Sequence, residues 1–203
     1  SLHGFYVKLD DKDEILKDVL AIEAVVQFVE TFFYVWVILA LKNIENMTPR
    51  RYIDWSITTP IMLISTIIFM EFKYNREKDR EKLTLKKFLS DKKYDIVKIV
   101  IFNALMLLFG YLGETGVISK YIGIPIGFVF FILSFKIIYE NYAVKTDIGY
   151  KLFLFIFIVW SIYGIAAMMP TPYKNISYNM LDIVAKNFYG LYIYYKILQY
   201  RIV

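Results

Sequence analysis

The feature that most narrows the folds open to this chain is the alternation of long apolar runs with short charged connections. Six runs stand at about 19–41, 52–72, 95–113, 117–138, 149–169 and 176–195. Each is near the roughly 20 residues that a helix needs to cross a hydrocarbon layer about 30 Å thick. In such a layer no water satisfies an open backbone, so each run must hydrogen-bond within itself, as a helix does. The expected fold class is an all-α integral membrane bundle, and the composition fits, with 58% of the 203 residues apolar and 19% aromatic. Cysteine is absent, which excludes disulfides, thiolate metal sites and thiol nucleophiles.

The formal charge of +5 gains meaning from its position. After the second run, Lys73, Arg76, Lys78, Arg80, Lys82, Lys86, Lys87, Lys92 and Lys93 outnumber Glu77, Asp79, Glu81 and Asp91. The positive-inside rule places this loop, residues 73–94, in the cytoplasm. The connection carrying Lys136, Lys145 and Lys151 and the tail with Lys196 and Arg201 then fall on the same side. The loop at 42–51 runs against the rule, with Lys42, Arg50 and Arg51 on the outer side. Alternating signs beside a membrane read as a solvated loop, so nucleic acid is not an expected partner. Residues 1–18 read as a cytoplasmic segment and 19–200 as the bundle. His3, the single histidine, has no partner near it in sequence.

Glu23, Glu30, Asp54, Asp182 and Lys186 lie inside the runs. At roughly 2.5–3.5 kcal/mol for each central charge, leaving them unpaired would rival the stability of a whole domain. Lys186 is too deep to snorkel, so it must pair with a carboxylate, lose its proton or be covalently converted. Asp182 stands four residues before it, one turn away on the same face, with Asn175 and Asn179 continuing that stripe. Asp54, Thr58 and Ser65 share a line on the second run, with Asp54 and Ser65 about 16 Å apart along the axis. Glu23, Gln27 and Glu30 form a like stripe on the first. Two such stripes and a buried lysine describe a hydrophilic interior rather than a passive anchor.

The segment Arg51-Tyr-Ile-Asp54-Trp55-Ser-Ile-Thr58-Thr-Pro60 closely resembles the third helix of microbial (type 1) rhodopsins, R-Y-x-D-W-x-x-T-x-P. Leu181-Asp182-Ile-Val-Ala-Lys186 resembles their seventh helix, L-D-x-x-x-K, and Trp160-Ser-Ile-Tyr163 the W-S-x-Y of the sixth. The resemblance covers residues 19–200. It implies all-trans retinal bound to Lys186 as a protonated Schiff base, with Asp54 and Asp182 as counterions and Arg51 beneath them. Trp55, Thr58, Pro60, Met62, Trp160 and Tyr163 would line the retinal site, and Met62, where some members have glutamine, goes with green absorption. The family has seven helices, and the six runs match its second to seventh. Gly4-Phe5-Tyr6-Val7 is then expected to end a first helix lying before this chain.

Within the family two functions compete. Ala21-Ile22-Glu23 through Glu30-Thr-Phe32-Phe33 resembles the second helix of channelrhodopsins, A-I-E-x-x-x-x-x-x-E-x-F-F, and Lys186-Asn187-Phe188-Tyr189-Gly190 their K-N-x-W-G. That places a light-gated cation channel first, with Glu23, Glu30 and Asn187 on the ion pathway. The alternative is an outward proton pump with Asp54 as acceptor. It would lack a cytoplasmic carboxylate donor, because Ser65 occupies that position, and it would lack an acidic release group between Met168 and Leu181. The Asp54, Thr58 and Ser65 triad also resembles viral rhodopsins. Expected partners are membrane lipid, monovalent cations or protons and, in a homo-oligomer, further copies of the chain. No Ser/His/Asp set, metal-ligand cluster or phosphate loop points to an enzyme.

Overall fold

The computed structural model describes residues 8–39 and 47–201. Its helices are α1 (Ile15–Leu39), α2 (Met47–Glu77), α3 (Leu85–Asp91), α4 (Lys93–Glu114), α5 (Lys120–Asn141), α6 (Asp147–Ala167), α7 (Thr171–Asp182) and α8 (Tyr189–Leu198). A π-helical turn, Ile183–Phe188, joins α7 to α8 without a break, so these three form one column. All six expected runs lie in helical columns. Among the described residues, five helical segments are long and apolar enough to cross a membrane by length and composition. The sixth column is the α7–π–α8 unit, whose polar stripe lowers its hydropathy. His3 and the Gly4–Val7 fragment lie outside the described residues.

The columns close into a ring. Helix α1 packs on α2, α2 on α4, α4 on α5, α5 on α6, α6 on α7, and α8 returns to α1. Helix α2 also reaches α6 across the middle. Of those five spans it is the most enclosed, with 67% of its spanning window buried against 22% for α4. That contrast explains why the polar residues of α2 face other helices while much of α4 is apolar and outward.

Helices α4 and α5 approach through glycine. A Cβ on Gly123 would stand 2.7 Å from the Phe109 carbonyl oxygen and 3.0 Å from the Gly113 Cα. One on Gly127 would stand 3.1 Å from the Met106 carbonyl oxygen. The Gly123-Ile-Pro-Ile-Gly127 spacing is the small-residue pattern that lets membrane helices pack backbone to backbone. This contact fixes the end of α4, where Glu114 lies.

At the other end, α2 runs past the expected limit of 72 to Glu77, sustained by the Lys73–Glu77 pair one turn apart at 4.0 Å. Residues 8–14 fold against this extension. Leu9 bridges Arg201, Asp13 lies 3.6 Å from Arg76 and Glu14 lies 2.7 Å from Lys82. The chain start, the basic segment and the tail thus share one end of the bundle.

Candidate functional site

Lys186 sits in the π-helical turn and is 2% exposed. A π turn inserts one residue into the helix and re-aims the side chains around it, and such turns are frequent at functional sites. Its Nζ donates to Asp54 Oδ2 at 2.5 Å and lies 3.7 Å from Asp182 Oδ1. The carbonyl of Lys186 accepts from the Gln27 side chain at 3.0 Å, which ties the turn to α1. The costly lysine of the sequence is thus paired with both expected carboxylates.

The two carboxylates differ in their surroundings. Asp182 Oδ2 accepts from Arg51 at 3.3 Å and Tyr34 at 3.1 Å. Its Oδ1 accepts from Trp55 Nε1 at 3.2 Å and Tyr163 at 2.8 Å. Arg51 also donates to Asn179 at 2.8 Å. Asp54 has Lys186 on Oδ2, and its Oδ1 has no hydrogen-bond partner among the described residues. Both oxygens of Asp182 are thus taken up by donors, whereas Asp54 is held through one oxygen.

Along α2 from Asp54, Thr58 is fully buried and donates to the Asp54 carbonyl at 3.0 Å. Ser65, 1% exposed, donates to Glu23 Oε1 of α1. Beside it Thr66 and Tyr189 share a hydrogen bond at 2.5 Å. Glu30, 3% exposed, feels the charges of Lys186, Asp182 and Asp54. Its Oε1 has no hydrogen-bond partner among the described residues. Asn187 follows Lys186 in the π turn and is half-buried.

A largely apolar cavity with about 740 Å³ of atom-free space, mouth included, opens from Lys186 between α2, α4, α5 and α6. Apolar clefts with a few convergent polar groups are where small organic molecules bind. Trp55, Met62, Trp160 and Tyr163 are among the residues of its lining. Pro60, expected there too, is not: it lies inside α2, half-buried, on a different face. Thr58 donates to the Asp54 carbonyl, and the adjacent Thr59 lines the cavity, accepting from Asn103 at 2.8 Å.

Sequence reasoning missed other participants. Tyr34 carries no spacing signal. Glu114 ends an apolar run and reads as a loop residue, yet it is buried against Lys174, Tyr52 and Tyr178. Helix α4 thus places a buried carboxylate side chain beside Lys174 and Tyr178 of α7.

A buried lysine, two carboxylates and an aromatic-walled slot inside a helical ring define a photoreceptor of the rhodopsin class. The model of the bacteriorhodopsin-like protein family matches residues 2–200, and the chain belongs to that family. It is 23% identical to a green-light absorbing proteorhodopsin of Gamma-proteobacterium EBAC31A08, over 94% of this chain and 78% of the relative. The structure of viral rhodopsin OLPVRII superposes with a TM-score of 0.82 at 30% identity, covering 94% of this chain and 86% of that one. The blue light-absorbing proteorhodopsin from Med12 shares the fold, with a TM-score of 0.70 at 21% identity over 95% and 85% of the two chains. The protein is thus an integral multi-pass membrane rhodopsin close to viral rhodopsins, and the family implies a retinal chromophore and ion transport rather than enzymatic turnover. The cavity fits that group: it is aromatic-walled and largely apolar, and Lys186 stands in its lining beside Asp182. Gly164 lets the Phe128 ring of the lining close against α6, since a Cβ there would come within 2.0 Å of that ring.

Proposed function

We propose that the protein is a light-driven outward proton pump, in which Lys186 carries all-trans retinal, Asp54 receives the proton of the Lys186 nitrogen and Glu23 returns one. When bound at Lys186, retinal supplies light absorption and an isomerisation that re-aims the nitrogen. Asp54 takes the proton on Oδ2, the oxygen that accepts from the Lys186 nitrogen at 2.5 Å, and Oδ1 has no hydrogen-bond partner among the described residues. Asp182, with both oxygens accepting hydrogen bonds, orients the site with Arg51, Trp55 and Tyr163. Trp160 and Met62 exclude water from the slot.

The observation that carries the reading is the Ser65–Glu23 hydrogen bond. Ser65 cannot itself return a proton, but it holds a carboxyl from the neighbouring helix, about 16 Å along α2 from Asp54. Glu23 thereby fills the donor role that the sequence of α2 leaves open, and the ranking of pump and channel reverses. By the positive-inside rule this end is cytoplasmic, because α2 continues from Ser65 into the basic segment.

A light-gated cation channel is the second reading. It is favoured by Glu23, Gln27 and Glu30 lying inward on one face of α1, and by the unpartnered Glu30 Oε1. Voltage-clamp photocurrents from the retinal-loaded protein separate the two. A pump gives outward current that persists against an opposing proton gradient. A current reversing at a potential set by sodium or potassium gradients would establish the channel.

A further inference from the structure

One buried cluster takes no part in the proton route. On the α7–π–α8 column Lys174, Tyr178, Asp182 and Lys186 follow at intervals of four, and all are buried. The outermost, Lys174, pairs with Glu114 of α4 at 2.7 Å, the two side chains being 9% and 1% exposed. The other oxygen of Glu114 accepts from Tyr178 at 2.6 Å and from Tyr52 of α2 at 2.9 Å. A buried ion pair gives little net stability compared with a well-packed apolar pair, so its presence calls for a purpose beyond holding two helices together.

The tyrosines point to that purpose. Both line the cavity that opens from Lys186. Both pack edge-on against Trp55, with ring centroids 5.1 Å away for Tyr52 and 5.0 Å for Tyr178. Trp55 in turn donates to Asp182, and the Arg51 guanidinium lies 5.2 Å from the Tyr178 ring. Glu114 itself is set by the glycine contact of α4 with α5, where a Cβ on Gly113 would come within 3.3 Å of the Lys120 Cα.

We propose that Glu114, oriented by Lys174, is a positioning residue of the chromophore site: it fixes the Tyr52 and Tyr178 hydroxyls, and through those rings the Trp55 wall and its hydrogen bond to Asp182. This rests on the reading that the cavity holds retinal at Lys186. The two oxygens of Glu114 have separate jobs, so they separate in an experiment. Glu114→Gln keeps an acceptor for the tyrosines and breaks the ion pair, whereas Glu114→Leu removes both.

The test is the absorption maximum, photocycle recovery and Tm of the retinal-loaded wild type and both variants. The expected result is a lowered Tm in both. The absorption maximum should shift and recovery change several-fold in Glu114→Leu, with Glu114→Gln restoring most of the wild-type spectrum. Should the Leu variant not fold, Tyr52→Phe with Tyr178→Phe keeps the rings, removes the fixed hydroxyls, and should shift the maximum likewise. A wild-type maximum and recovery in Glu114→Leu, or in the double Phe variant, would overturn the proposal and leave Glu114 a link between α4 and α7. A wild type that forms no visible band with retinal would overturn the chromophore reading itself, and is recognised before any variant is made.

Discussion

The buried carboxylates on the two sides of Lys186, Asp182 and Glu23, are held in opposite ways. Toward Arg51, Asp182 accepts hydrogen bonds from four side chains on α1, α2 and α6, and Glu114 is matched by Lys174 and two tyrosines. Toward the basic segment, Glu23 has the Ser65 hydroxyl and no cation, and its Oε2 has no hydrogen-bond partner among the described residues. A carboxylate held by many donors resists change, because moving its charge breaks several charge-assisted bonds at once. One held by a single neutral hydroxyl changes protonation with little rearrangement. The difference teaches which groups orient the Lys186 nitrogen and which exchange protons with it. Asp54 stands between the two types, with one oxygen on Lys186 and one free.

This contrast can be broken from the middle outward. Lys186→Ala should abolish retinal-dependent visible absorbance altogether, as read by titrating retinal into the purified protein. Asp54→Asn should keep a chromophore but lower light-driven proton transport by at least about 100-fold, the lower bound for losing a positioned acid–base group. Measured as light-induced acidification around vesicles, a near-normal rate would remove Asp54 from the route. Glu23→Gln should leave the first proton transfer intact and slow the return to the dark state by about 100-fold, the low end for a positioned acid, a delay visible by flash photolysis. Ser65→Ala, which deletes one hydrogen bond of about 1 kcal/mol, should slow or speed the same phase only several-fold. The smallest effect belongs to Gly190→Ala: its Cβ would meet Gln27 Nε2 at 3.1 Å and Glu23 Oε2 at 3.6 Å, so a modest change in recovery with an unaltered absorption maximum is expected.

Much of this was legible in the sequence because membrane physics makes buried charge conspicuous. The six spans followed from length and hydropathy. The Lys186 environment followed from the cost of leaving a deep lysine unpaired, and from the i, i+4 spacing to Asp182. The partner of Ser65 was not legible, since it depends on how α1 and α2 are set against each other along their axes. Glu23 could be placed on an inward stripe but not opposite a particular hydroxyl. Glu114 escaped because a carboxylate at the end of an apolar run looks like any interfacial residue, and its burial arises from the glycine contact between α4 and α5. The π turn left no mark, as its residues carry ordinary helix-compatible side chains. The same residue-level blindness placed Pro60 in the cavity: helical spacing fixes the face of α2 only to within about 40°, and neighbouring positions are about 100° apart.

The central claim is that protons pass from the Lys186 nitrogen to Asp54 and return from Glu23. Time-resolved infrared difference spectroscopy on the retinal-loaded protein tests it most directly, with Asp54→Asn and Glu23→Gln assigning the carboxyl bands. The account predicts a protonated carboxyl band of Asp54 rising first. A Glu23 carboxyl band should then disappear as the Lys186 nitrogen regains its proton, and recover as the cycle ends. A Glu23 band that stays unchanged through the whole cycle would contradict it.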